Sequence, residues 1–154
     1  MKEFDYYIFV DYSENLIGYN IIEGNKVKEL IPKITKLKHY KGLEHKIEYL
    51  NSMKKLFARE NINSYLLKMK IFNMRDNIEL FAEVLEFIKN HSNCIIFISV
   101  DDFQFKNFNK LVQAVNDDRT KVIREGQLKK GSAEYKMSLI IDTQLNLLRG
   151  RKSV

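Results

Sequence analysis

Three acidic positions stand where a plain fold would not need a carboxylate. The run Tyr6-Tyr7-Ile8-Phe9-Val10 ends on Asp11, and the longer run from Cys94 to Val100 stops on Asp101 and Asp102. Asp142 sits inside the apolar helical stretch from Ser138 to Leu145. Carboxylates delivered to one end of a sheet repel one another, and their pKa values rise unless a cation shares the site. Hard oxygen donors suit Mg²⁺ or Mn²⁺, which a few carboxylates hold together with the phosphate oxygens of a substrate. Two such ions roughly 3.5–4 Å apart activate water and stabilise the leaving oxygen of an in-line displacement. The chemistry this predicts is phosphodiester hydrolysis.

Each acid also has a plainer use. Asp11 can open the turn through Ser13 and Asn15. Either Asp101 or Asp102 can cap a helix over Phe103 to Val115, which leaves the other free. Asp142 can face solvent if its helix is partly exposed, whereas an unpaired buried carboxylate there costs several kcal/mol, on the order of 2–7.

The elements that must position these residues are legible as apolar patterns. Tyr6 to Asp11 and Cys94 to Val100 are unbroken runs of β-branched and aromatic residues, the pattern of strands buried on both faces. Leu16 to Glu23 reads as a second strand, and Lys26 to Ile31 as a third with one wet face, giving an antiparallel meander. A helix is expected from Leu43 to about Arg59, with Leu43, Ile47, Leu50 and Phe57 on its inner face. Asn63 to Phe72 alternates loosely as a further strand. Asp76-Asn77-Ile78-Glu79 has capping-box spacing for a helix to about Asn90, facing inward through Ile78, Phe81, Leu85 and Ile88. Beyond the helix over Phe103 to Val115, a short strand covers Lys121 to Arg124. A last helix is capped at Ser132 and runs to Leu148.

The chain has 154 residues, 45% of them hydrophobic and 30% charged, which excludes a disordered chain and a disulfide scaffold. One domain over residues 1–154 is expected. Every apolar run is far shorter than the ~20 residues a spanning helix needs. The start, Met1-Lys2-Glu3-Phe4-Asp5, lacks the basic opening of a signal peptide, and the lone Cys94 fits a reducing compartment, so the expected localisation is cytoplasmic. Net charge is +6, with the excess concentrated in Lys26 to Lys55 and in Arg119 to Lys152. Lys129, Lys130, Arg149, Arg151 and Lys152 are the candidate contacts to a polyanion, RNA or DNA. The plainer reading of the same charge is a solvated, lysine-rich surface. His39, His45 and His91 have no metal spacing, and no glycine loop cradles a phosphate. Tyr12, Tyr40 and Phe103 fall near the acidic rim, where they could stack on bases.

This order of elements and acids resembles the ribonuclease H-like superfamily, and within it the DUF3800 family. Asp11-Tyr12-Ser13-Glu14-Asn15 stands at that family's first motif, Val100-Asp101-Asp102 at the second, and Leu139-Ile140-Ile141-Asp142 at the third. Tyr12 and Leu139 replace an acid and a glutamine of the pattern. The resemblance implies an α/β fold: a ribonuclease H-like mixed sheet of three antiparallel strands, then alternating helices and strands, flanked by helices. It also implies catalytic roles for Asp11, Asp101 and Asp142, and a metal set of those three with Asp102 and Glu48, or Glu44 one turn earlier, on the first helix. The implied activity is a Mg²⁺- or Mn²⁺-dependent nuclease. Two alternatives stand beside it: an inactive nucleic-acid-binding or scaffold module of the same fold, and a PIN-type ribonuclease, against which the hairpin after Asp11 argues.

Overall fold

The computed structural model describes residues 3–116 and 120–152, so Arg119 lies outside it. In chain order the elements are β1 (Tyr6–Ser13), β2 (Leu16–Glu23), α1 (Val27–Leu30), α2 (Lys46–Arg59), β3 (Lys68–Asn73), α3 (Asn77–Asn90), β4 (Cys94–Ile98), α4 (Asp102–Asn116), β5 (Thr120–Arg124) and α5 (Ala133–Lys152). The strands form one sheet in the order β3-β2-β1-β4-β5. β1 pairs antiparallel with β2, and β2 with β3, whereas β1–β4 and β4–β5 are parallel.

Side chains alternate across a strand, so β1 serves two cores. Ile8 and Val10 pack with Ile96, Ile98, Leu80, Val84 and Phe108 on the side covered by α3 and α4. Tyr7 and Phe9 pack with Ile95, Phe97, Ile140, Ile141 and Leu145 on the side covered by α5, where Met53 and Leu56 of α2 close the layer. Covering on both sides is why β1 and β4 read as unbroken apolar runs. From Met137 to Asn146 every residue of α5 is buried, on whichever side of the helix it lies. Gly18 of β2, paired with Asp11, allows that depth: a Cβ there would lie 2.9 Å from Ile141 Cδ1 and 3.1 Å from the Lys70 carbonyl oxygen.

The sequence expectation fails in places, each for a physical reason. Lys26 to Ile31 is helical rather than a strand: Val27, Leu30, Ile34 and Leu37 recur at helical spacing and are all buried. The third antiparallel strand is β3, reached after α2. The inner face of α2 is Met53 and Leu56, with Tyr49 and Phe57 partly buried, while Ile47 is 75% exposed. On α3 the buried residues are Leu80, Val84, Phe87 and Ile88, and Ile78 stands in solvent. Asp76 makes no side-chain capping bond there. Ser132 does cap α5, accepting from the Tyr135 N–H at 3.1 Å. Among the described residues, no helix is long and apolar enough to cross a membrane.

Candidate active site

The last rungs of the parallel ladder join Val10 to Ile98 and Ile98 to Arg124. One residue further along each strand come Asp11, Ser99 and Glu125, which turn to the opposite side of the sheet, the side of α5. With strands about 4.8 Å apart, this row is roughly 10 Å long. Asp142 comes down on it from α5. Asp11 and Asp142 are only 6% and 5% exposed, and both line a cleft of about 560 Å³.

Burial pushes the Asp11 carboxyl well above the usual carboxylate range, and the charges of Glu125 and Asp142 push the same way. The Tyr12 N–H, which donates to Asp11 Oδ1 at 2.8 Å, and the neighbouring Ser99 hydroxyl favour the ionised form without offsetting burial. Glu125 is pushed up to about 7, by burial first and then by the charge of Asp142, with Ser99 opposing. Asp142 is raised by burial and held back by the Tyr40 N–H, His39 and Arg149. Its Oδ2 accepts from Tyr40 N–H at 3.0 Å, and Asn146, one turn on, donates to its carbonyl at 2.8 Å.

The walls of the cleft, which also hold Glu14, carry mostly the opposite charge through Lys41, Lys46 and Arg149. His39, Lys41, Lys46 and Arg149 line it, together with Tyr12 and Tyr40. Arg149 donates to Ser13 Oγ at 2.9 Å and pairs with Glu14 at 3.5 Å, which ties the end of α5 to the β1–β2 turn. Acids at the floor and cations at the wall suit a phosphate whose oxygens face a cation below and basic side chains around.

The donors fit a hard cation in kind. Among the described residues, however, no three acidic, histidine or cysteine side chains are placed as a ready cage for a metal ion. The fit is therefore to an ion held by one or two carboxylates, with water and substrate oxygens completing the shell, as is usual for Mg²⁺.

Of the residues singled out in the sequence, Asp11 and Asp142 are brought together and Asp101, Asp102 and Glu48 are not. β4 ends at Ile98, three residues before Asp101, so it is Ser99 that corresponds to Asp11. Asp101 is exposed and caps α4, its Oδ1 accepting from the Gln104 N–H at 2.8 Å. Asp102 is paired with Arg124 on the surface. Glu48 is exposed on α2. Glu125 is not among the residues the sequence singles out, although it follows the short strand over Lys121 to Arg124 as Asp11 follows Phe9-Val10. Lys129 and Lys130 are exposed in the loop before α5. Arg151 and Lys152 belong to the last turn of α5, and their side chains lie outside the described residues. Phe103 is 74% exposed on α4 and does not line the cleft.

No family model matches the chain, which leaves the DUF3800 likeness without support, and no curated protein matches it. Solved structures do. The ribonuclease H2 from Pyrococcus horikoshii OT3 superposes with a TM-score of 0.58 over 95% of this chain and 72% of that one, at 17% identity. The fold is ribonuclease H-like. A chain of the PCNA:RNase HII complex from Archaeoglobus fulgidus agrees, with a TM-score of 0.51 over 96% of this chain and 72% of that one, at 12% identity. At such identities the likeness carries the ribonuclease H-like fold and not the activity.

Proposed function

We propose that the cleft hydrolyses phosphodiester bonds in RNA or DNA, with Asp11 and Asp142 as the carboxylates that hold Mg²⁺ or Mn²⁺ and Glu125 adding its charge from the end of the row. The observation that carries this reading is the row Asp11–Ser99–Glu125 faced by Asp142. Asp11 is raised by burial first and then by the charges of Glu125 and Asp142, a cost to folding alone that a cation relieves. When bound, the ion supplies an activated water and a counter-charge for the leaving oxygen. The chain's own residues do the rest. Asp11 and Asp142 are held by the Tyr12 and Tyr40 N–H groups, so their oxygens are oriented before substrate arrives. Lys41, Lys46 and Arg149 attract and align the backbone, and exposed Lys129 and Lys130 extend the basic surface. The hairpin that follows Asp11 leaves the PIN-type alternative without the helix it expects there.

Labelled RNA and DNA oligonucleotides incubated with Mn²⁺ or Mg²⁺ should be cut. Asp11→Asn and Asp142→Asn should each remove the cutting, as should EDTA. Binding with no cutting in either metal would instead support the inactive module.

A further inference from the structure

The cleft wall is built around one residue the acids do not explain. Tyr40 lies on a segment, residues 35–42, that crosses from α1 to α2 over the floor. Lys136 of α5 holds that segment by donating to the Thr35 and Leu37 carbonyls at 3.0 and 3.1 Å. Tyr49 of α2 holds it from the other side, its hydroxyl accepting from the Lys38 N–H at 2.7 Å and donating to the Lys38 carbonyl at 3.0 Å. Between these anchors, Tyr40 gives its N–H to Asp142. Its ring meanwhile has Lys46 Nζ at 5.2 Å and Arg149 Cζ at 5.4 Å from the centroid. Both cations are inside the roughly 6 Å over which a ring face attracts a positive charge.

Two cations drawn to one ring repel each other, and an anion between them is favoured. One comes from the first turn of α2 and the other from the last turns of α5, and the ring is the group that both of them meet. Arg149 is steadied further by Ser13 and Glu14. Lys46 has the ring.

We propose that Tyr40 is a positioning residue, whose ring sets Lys46 and Arg149 as a seat for a phosphate of the nucleic-acid backbone beside Asp142. This rests on the nuclease reading of the cleft and adds how that cleft grips its substrate. The ring acts through its face, so the hydroxyl is dispensable, and the N–H to Asp142 survives any side-chain change.

The test is binding of a single-stranded oligonucleotide in EDTA, measured across a salt series for wild type, Tyr40→Phe, Tyr40→Leu and the double variant Lys46→Ala/Arg149→Ala. Thermal melts establish that each is folded. Tyr40→Phe should bind as wild type does. Tyr40→Leu should bind about 5- to 10-fold more weakly, with a log–log salt slope shallower by up to roughly 0.7, the contribution of one phosphate contact to a single strand. In the double-variant background Tyr40→Leu should have no further effect. If Tyr40→Leu keeps the wild-type slope, or Tyr40→Phe loses as much as Tyr40→Leu, the ring does not set the cations and the inference fails while the nuclease reading stands. If wild type shows no salt-dependent binding, both fall together. Should Tyr40→Leu not fold, the unchanged or changed slope of Lys46→Ala alone decides, because the seat requires it to become shallower.

Discussion

The two sides of the sheet are made on different terms. On the α3–α4 side the buried side chains are almost all apolar, and the one buried phenol, Tyr19, gives its hydroxyl to Glu83 at 2.6 Å. On the α5 side Asp11, Asn20, Asp142, Thr143, Gln144 and Asn146 are all buried. Some of these polar groups satisfy one another: with its amide nitrogen turned toward Gln144, Asn20 donates to Gln144 Oε1 at 3.1 Å, and Gln144 donates to Asn63 at 2.9 Å. Asp11 and Asp142 accept the Tyr12 and Tyr40 N–H groups, yet burial and the charges around Asp11 still raise both pKa values. The first side stabilises the fold and the second spends stability on a charged row, the usual trade at a functional site.

That difference can be broken from the apolar side first. Ile96 is fully buried between β1, β5 and the α3–α4 layer, so Ile96→Ala should cost about 2–5 kcal/mol, read as a lower urea midpoint. A loss below about 1 kcal/mol would mean that this side is not the well-packed half.

From the acidic side the sign reverses, and pH exposes it. Glu125 has a folded pKa near 7, above the ordinary value of 4.5 that an unfolded chain presents. Between those two values the folded protein keeps a proton the unfolded chain has released, so stability from this group is fully present below about pH 4.5 and is lost as pH rises through 7. Asp11 is shifted in the same direction and adds to the slope. In EDTA, melting temperature should therefore fall from pH 5 to pH 8. Glu125→Gln should flatten that fall and be the more stable protein at pH 8, by roughly 1–3 kcal/mol. A wild-type melting temperature that is level or rises across this window would contradict the clustering of charge.

How much of this was legible in the sequence follows the same division. Strands β1, β2 and β4 and helix α5 were readable because burial on both sides leaves a run of apolar residues with no alternative use. Asp11 and Asp142 stood out for the same reason, as acids against an apolar background. Lys26 to Ile31 reads as a strand in the sequence because six residues are too few to separate a period of two from one of 3.6, and the decisive apolar positions, Ile34 and Leu37, lie beyond the stretch. Asp101 stands out in the sequence because the sequence does not say where β4 stops. Once Ile98 is known to be its last residue, alternation gives Ser99 to the α5 side and leaves Asp101 as a helix cap. The cations of the wall were not foreseen as a group, Lys46 above all, since a segment folded over the floor brings them together and no local pattern marks it.

Thermal melts of wild type and Asp142→Asn, each in EDTA and in Mn²⁺, test most directly whether Asp142 belongs to a repelling cluster that a cation relieves. The amide keeps an acceptor for the Tyr40 N–H while removing one charge. The variant should melt higher than wild type in EDTA, by up to roughly 1–2 kcal/mol of stability, and should gain little from Mn²⁺ where wild type gains much. Equal Mn²⁺-induced shifts in the two proteins, or a variant less stable than wild type in EDTA, would contradict the account.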